Sequence, residues 1–378
     1  MNKRNTLICT VGTSLITNIE GLKKSENNTE TKAEIYKAYQ SENYEKLTDL
    51  LLSLNPTERI CGAEINTIEE AQKKKWLDIE NIVFLVSDTK EGEKTGNILK
   101  KYFSKRKINV KVEKIEKLKP NNPKDFKKHG LRNLIRKIGN ITRLYGSKNI
   151  AIDATGGYKA QIALAVLFGQ SLGIPVFYKH ESFGEIIDFP PMPVSLDYTL
   201  IGNYSHLFHK LNKGETLDSK EIEEIESYDR EKILIFLDSI EENGESLYEL
   251  NAMGTLYLET FYLSLKEKKT LKDLPESKRK APSLSQHHYP RGFKEFVDKV
   301  WAENRWIITC KDTHYNKQKS IRKGIKFFVV QEKESHLLIG TYRYKNEDFG
   351  ARFAIILEEK DIDLLSLAAN ILNDKYGI

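Results

Sequence analysis

The stretch N-I-A-I-D-A-T-G-G-Y-K, Asn149 to Lys159, decides the fold. Ile150, Ala151 and Ile152 form a short apolar run that ends in Asp153. Thr155, Gly156, Gly157 and Tyr158 follow, and a helix-forming run extends from Lys159 through Leu172. Strand, glycine turn and helix in this order present backbone N–H groups and a helix N-terminus to a phosphate. Neither Gly156 nor Gly157 carries a Cβ, so the backbone can approach a ligand closely there. Lys159 adds a positive charge and Thr155 a hydroxyl. An ordinary βα turn with a capping Asp153 is the other reading, because an isolated glycine turn is a weak signal.

The same pattern recurs on either side of this stretch. Thr6 to Thr10 reads as a buried strand whose tip offers Gly12, Thr13 and Ser14. A polar helical insertion runs from about Thr31 to Leu54, and C-G-A-E-I-N-T-I, residues 61 to 68, begins another helix. Residues 81 to 89, N-I-V-F-L-V-S-D-T, are again a buried strand, tipped by Ser87, Asp88 and Thr89. Helix Thr95–Phe103 leads to strand Val110–Ile115, helix Leu131–Tyr145 leads into the quoted stretch, and Pro175–Lys179 is the next strand. Alternating apolar strands and amphipathic helices predict an α/β, Rossmann-like fold, a parallel sheet covered on both faces. Ligands of such sheets bind beyond the carboxyl ends of the strands, where all three polar tips lie. There is no G-x-G-x-x-G fingerprint and no P-loop, which argues against a dinucleotide cofactor and against nucleotide hydrolysis of that kind.

At 378 residues the chain has room for two or three domains. It is 39% hydrophobic, enough for real cores, and 30% charged, with a net charge of +6 that permits a nucleic-acid partner without requiring one. Cys9, Cys61 and Cys310 are far apart, without metal-ligand spacing, and suit a reducing cytoplasm. No apolar run is long enough to span a bilayer, and the Lys-rich start enters a buried-type strand rather than a secretory leader.

T-V-G-T-S-L at the first strand, S-D-T after a middle strand and D-A-T-G-G-Y-K together resemble the CARF domain, the CRISPR-associated Rossmann-like sensor. The resemblance covers residues 1 to 200. It implies a homodimer whose two-fold axis crosses a pocket for a cyclic oligoadenylate, and a two-fold interface presents every group twice, which suits such a ring. Carried over, the ligand contacts are Gly12, Thr13, Ser14, Thr155, Gly156, Gly157 and Lys159, with Ser87, Asp88, Thr89 and Tyr158 on the same edge. Asp153 orders its turn, since a carboxylate facing phosphate would be repelled. Some members of the family also cut their ligand slowly, and Thr13, Ser14 and Lys159 are the places to look here.

Ser182 to Pro193, with its prolines, is an extended exit from this domain. His206 to Leu265, within a second domain at 205–270, is mostly helical in pattern. It is similar to a small winged helix-turn-helix, a module that also occurs beside CARF domains. The acids Glu221, Glu223, Glu224 and Glu226 favour a coupling role over DNA reading. Lys266 to Ser285 has linker composition and marks a boundary.

The remainder, residues 286–378, reads as helix Gly292–Glu303 followed by an antiparallel meander of Trp306–Cys310, Ile325–Gln331, His336–Tyr344 and Ala351–Leu357. Ile362 to Leu372 fits a helix or a strand. Between the first two runs lie Lys311, His314, Tyr315, Lys317, Lys319, Arg322 and Lys323, either a solvated loop or an RNA-contacting one, since aromatics stack on bases while cations meet phosphates. In Y-R-Y-K-N-E-D-F-G-A-R-F, residues 342 to 353, Arg343 and Lys345 share a strand face and Arg352 starts the return strand. Cleavage of RNA by its own 2′-hydroxyl needs a base, stabilisation of a charged phosphorane and a proton for the leaving oxygen. Clustered cations serve the second task, and a lysine with a depressed pKa serves the first. A basic surface hairpin is the plainer reading.

This hairpin is similar to that of RelE-type mRNA interferases, which cut mRNA in the ribosomal A site without a metal. The resemblance implies Arg343, Lys345 and Arg352 as catalytic, with Lys375 and Tyr376 as the available candidates for the family's further basic and tyrosine residues. CARF, winged helix and RelE-like domain in one chain look like the CRISPR-associated mRNA interferases switched on by cyclic tetra-adenylate. The partners are then a cyclic oligoadenylate, mRNA, the ribosome and a second copy of the chain, with no cofactor and no membrane. Two alternatives compete. A CARF-gated metal-dependent nuclease of the PD-(D/E)xK kind would use Asp348, Glu358 and Lys360, and a transcription regulator would use only the winged helix. No Arg precedes a His at the spacing a HEPN ribonuclease requires.

Overall fold

The computed structural model describes residues 4–24, 29–180, 184–242, 244–268, 270–285, 288–313, 321, 324–332, 335–343 and 349–377. The chain divides into two compact units, Met1–Leu196 and Asp197–Ile378.

In the first unit, β1 (Arg4–Thr10) is followed by α1 (Ser14–Gly21), α2 (Glu30–Gln40), α3 (Tyr44–Ser53) and α4 (Gly62–Lys73). Then come β2 (Leu77–Ser87), α5 (Lys90–Lys105), β3 (Asn109–Ile115), the single turn α6 (Pro123–Asp125), α7 (Leu131–Tyr145), β4 (Ile150–Asp153), α8 (Lys159–Ser171), β5 (Val176–Tyr178) and β6 (Ile187–Phe189). The sheet order is β3-β2-β1-β4-β5-β6. The first five strands are parallel, as the alternation of apolar runs and helices predicts. β6 pairs antiparallel with β5 and was expected only as extended chain.

Central strands of a parallel sheet are buried on both faces, so their apolar residues run on without alternating. Leu7, Ile8 and Cys9 are accordingly all fully buried. Leu7 and Cys9 join the core formed with α1 to α5. Ile152, which stands beside Ile8 in the register, points to the other face, where it meets Gly169 of α8. The order β2-β1-β4 sets the carboxyl tips of these three strands side by side.

The second unit opens with α9 (Thr199–Asn203), α10 (Ser205–Asn212), β7 (Leu217–Asp218), α11 (Ser219–Glu223), α12 (Ser227–Leu234), β8 (Leu237–Glu242), β9 (Glu245–Leu250) and α13 (Ala252–Lys268). β7, β9 and β8 form a small antiparallel sheet. The hairpin β8–β9 corrects the largely helical reading of this stretch. Gly244, at φ +81°, supplies a turn that few other residues adopt, and the cross-strand pairs Leu237–Leu250 and Ile240–Leu247 replace the apparent helical spacing.

α14 (Phe293–Glu303), β10 (Thr309–Asp312), β11 (Gly324–Glu332), β12 (Ser335–Arg343), β13 (Ala351–Ile356) and α15 (Ile362–Tyr376) complete the chain. The sheet order is β10-β13-β12-β11, antiparallel throughout. A simple meander would pair β10 with β11; instead β10 lies against β13 at the far edge. One sheet face, with Phe327, Leu338, Tyr342, Phe353 and Ile355, packs on α14 and α15. The last segment is therefore a helix, capped by the Asp361 carboxylate, which accepts from the N–H groups of Asp363 and Leu364.

The expected boundary at Lys266–Ser285 falls inside this second unit. Charged composition suggested a free linker, but backbone bonds fix the segment along the sheet: Lys280 N–H donates to the Ile308 carbonyl at 2.8 Å and Ser283 N–H to that of Cys310 at 2.9 Å. α9 also approaches α15 so closely that a Cβ on Gly202 would lie 2.3 Å from Ser366 Oγ.

Candidate functional site

The tips of β1 and β4 meet as backbone against backbone. A Cβ on Gly12 would lie 3.0 Å from the Gly157 nitrogen, and one on Gly156 would lie 2.5 Å from the Gly12 nitrogen and 2.9 Å from the Thr10 carbonyl. Glycine at both places is a steric requirement of this approach. Gly157, at φ +101°, then turns the chain into α8, with Lys159 exposed in its first turn. Thr10 Oγ1 donates to the Gly156 carbonyl at 2.6 Å, which fastens the turn to β1.

Asp153 orders this turn, as its chemistry suggested. It is fully buried, and its Oδ1 accepts from the Thr155 N–H at 3.0 Å. Burial pushes its pKa up to about 7, against the opposing hydrogen bonds of Thr155 and Cys9. The Thr155 hydroxyl accepts from the Lys179 N–H at 3.1 Å, so it is shared with the neighbouring strand. On β2, Ser87 Oγ and Thr89 Oγ1 lie 2.9 Å apart, and Thr89 caps α5 by accepting from Gly92 N–H. Asp88 accepts from the Lys117 N–H at 3.1 Å and pairs with Lys119 at 3.2 Å. Burial raises its pKa, but these partners outweigh it and hold the carboxyl below its usual range. Tyr158, stacked edge-on with Phe126, reaches Ser87 and so joins the β4 and β2 tips. Thr13 is exposed.

Two residues that the sequence did not single out lie under this edge. Glu64, from α4, is fully buried; its Oε1 accepts from the Gly12 N–H at 2.7 Å and its Oε2 from the Ser14 hydroxyl at 3.5 Å. Gln161, from α8, is 1% exposed, and its Nε2 has no hydrogen-bond partner among the described residues. Its Oε1 would lie 2.5 Å from a Cβ on Gly157, so the amide sits directly beneath the turn. A buried donor left unpaired costs about 1–3 kcal/mol, which an incoming acceptor would recover. Beside Ser14 a cavity of about 940 Å³ opens between α4 and the end of β5, with Asn18, Arg59, Asn66, Lys74 and Lys179 on its walls.

In the second unit the cations gather on one sheet face. Arg352 stands opposite Thr341, and Arg343 lies two residues beyond Thr341, so both project to the same side. Lys311 opposes Ala354, two residues beyond Arg352, and Lys326 opposes Thr341 on its other flank. Lys311, Arg352, Arg343 and Lys326 thus come from four strands and share the face turned away from α14 and α15. Arg352 is exposed, whereas Arg343 is half-buried and donates to the Ile321 carbonyl at 2.7 Å. Gly350 admits Ile321, whose Cγ2 would be 2.7 Å from a Cβ there. Lys345, His314, Lys317, Lys319 and Arg322 lie outside the described residues, as does Asp348.

Tyr376 is not brought to this face, which corrects its pairing with the arginines. It is buried against Phe296 and Phe327 on the opposite side, where its hydroxyl donates to Glu303 at 2.7 Å and accepts from Asn304. Lys375 pairs with Glu303 at 3.1 Å. α15 runs to Tyr376, and its core-facing stripe carries that side chain inward. Glu358 is exposed and paired with Lys278. Among the described residues no three His, Cys, Asp or Glu side chains cluster as metal ligands, and no helix is long and apolar enough to cross a membrane.

Residues 59–192 match a family described as CRISPR-associated protein (Cas_APE2256). No curated protein sequence matches the chain. Among solved structures, Can2 from Sulfobacillus thermosulfidooxidans in complex with cyclic tetra-adenylate is 7% identical, with a TM-score of 0.27 over 91% of this chain and 75% of that one. The protein VC1899 from Vibrio cholerae is 9% identical, with a TM-score of 0.24 over 93% and 77%. Scores this low carry no weight for the fold. The family match falls on the segment that holds Glu64, the β2 tip and the whole Asp153–Lys159 turn.

Proposed function

We propose that the chain is a cyclic-oligoadenylate-responsive effector of type III CRISPR defence, with a sensing first unit and a ribonuclease second unit. The observation that carries the proposal is the backbone floor of Gly12, Gly156 and Gly157 beside the N-terminus of α8, at the carboxyl edge of a parallel sheet. Such an edge has exposed Lys159 for charge and a buried, unpartnered amide at Gln161 for an acceptor. The family match over residues 59–192 supports the CRISPR assignment. A two-fold dimer would present this edge twice to one ring, cyclic tetra-adenylate by the sequence resemblance.

The second unit would cleave mRNA in the ribosomal A site, as the RelE-like motif implies. The basic face of Lys311, Arg352, Arg343 and Lys326 supports this reading. It offers preorganised cations to a phosphodiester and to the charge that develops as the 2′-hydroxyl attacks. Lys345 would take the hydroxyl proton. The order helix, strand, two helices and hairpin over residues 205–250 fits a winged helix that couples the two activities. Slow cutting of the ring would fall to Thr13 and Lys159, since the Ser14 hydroxyl already accepts from Ala63 N–H at 3.0 Å.

Calorimetric titration with cyclic tetra-adenylate tests the sensor. Lys159→Ala, at an exposed position, is expected to weaken binding about tenfold without lowering Tm, the scale of one lost charge-assisted contact. Unchanged affinity would remove the turn from the pocket.

A further inference from the structure

We propose that Glu64 is the proton-linked positioning residue of the anion edge, so that a phosphate-bearing ligand and a proton bind together. The inference rests on the sensor reading above and adds to it how that site is regulated.

Glu64 Oε1 accepts at 2.7 Å from the N–H of Gly12, one of the backbone groups that line the edge. Its other oxygen holds the Ser14 hydroxyl at the start of α1. A Cβ on Gly156 would lie 2.2 Å from the same Oε1, so the carboxyl is wedged beneath both glycine tips. It is fully buried and therefore touches no ligand; it acts by fixing the tips and through its field. In a low-dielectric interior a carboxylate there opposes any anion that settles above.

The groups that face Glu64 do not relieve this. From β1 comes the Cys9 thiol, from β4 the Asp153 carboxyl and from α1 the Ser14 hydroxyl. Among the described residues no Lys, Arg or His pairs with it. Cys9 and Asp153 can add only further negative charge. Burial therefore holds the Glu64 carboxyl above its ordinary range, against the bonds from Gly12, its own backbone and Ser14. A protonated carboxyl still accepts from Gly12 N–H through its carbonyl oxygen, so the tip stays in place while the opposing charge disappears. An anion above the tips stabilises that protonated form, and linkage then requires proton uptake on binding.

The experiment is titration calorimetry of the full-length chain with cyclic tetra-adenylate between about pH 6 and pH 8. Each pH is run in two buffers of different ionisation enthalpy, with wild type and Glu64→Gln. The proposal expects net proton uptake by the wild type and an affinity that falls toward tenfold per pH unit where free Glu64 is ionised. Glu64→Gln keeps an acceptor for Gly12 and is expected to bind more tightly than wild type at pH 8, with a flat profile and without the uptake. Wild-type binding with no proton uptake overturns the proposal without recourse to the variant. Uptake that persists unchanged in Glu64→Gln also overturns it and assigns the proton to Asp153 or a histidine. No binding by wild type at any pH overturns the sensor reading itself, and this inference with it.

Discussion

Asp153 shows how one buried carboxyl ties the turn to pH. Its pKa rises from 3.8 to about 7 because burial penalises the charged form. The folded state therefore holds a proton more firmly than the unfolded chain, so the stability contribution is full below about pH 4. It is lost as pH rises toward 7. Asp153→Asn keeps the acceptor for Thr155 N–H and removes the charge. It should raise Tm relative to wild type most at pH 8, with an upper bound of roughly 4 kcal/mol, by about a third of that at pH 5, and hardly at all below about pH 4. An equal effect at pH 8 and pH 5 would mean that Asp153 is not the group that titrates. A steric counterpart lies three residues on. Gly156→Ala drives a methyl against Glu64 Oε1, Gly12 N and the Thr10 carbonyl and should cost about 2–4 kcal/mol, whereas a Cβ on Gly21 meets nothing within 4 Å. Comparing the two alanine variants by thermal melting checks the packing of the edge. Asp153 and the glycines were legible in the sequence because their turn is local. Glu64 was not: its partner Gly12 lies 52 residues earlier, and only the sheet brings them together.

At the level of elements, the basic sheet face makes a separable prediction. Arg352 is exposed, so Arg352→Ala should leave stability within about 0.5 kcal/mol while abolishing RNA cleavage. Arg343 also holds the Ile321 carbonyl, so Arg343→Ala should lose cleavage and some stability together. Cleavage retained by both would sink the nuclease assignment to this face. Strands β1, β2, β4 and β11 to β13 were legible as apolar runs because each carries a set of buried apolar residues into a core. The hairpin β8–β9 was not, because Leu237 and Ile240, like Leu247 and Leu250, stand at an apparent helical spacing and their pairing depends on the Gly244 turn. The place of β10 beside β13 is a matter of sheet order, which no local pattern encodes. Tyr376 illustrates the same limit: a helix was an open possibility there, but not which way its last turn faces.

Across the whole molecule, the chain divides into two compact units, which the proposed function assigns to sensing and to cleavage. A ligand shifts such a system only if it binds the active arrangement more tightly than the dormant one. The composition reading of 266–285 as a boundary failed to anticipate that backbone bonds along β10 hold this charged stretch inside the second unit. The measurement that tests the central claim most directly is cleavage of mRNA on programmed ribosomes, with and without cyclic tetra-adenylate. Naked RNA is assayed in parallel, in magnesium and in EDTA. The account predicts cutting that requires both the ribosome and the ligand and that Arg352→Ala abolishes. Ligand-dependent cutting of naked RNA that EDTA abolishes would contradict it in favour of a metal-dependent nuclease, and ligand binding with no cutting at all would leave the chain a regulator rather than an enzyme.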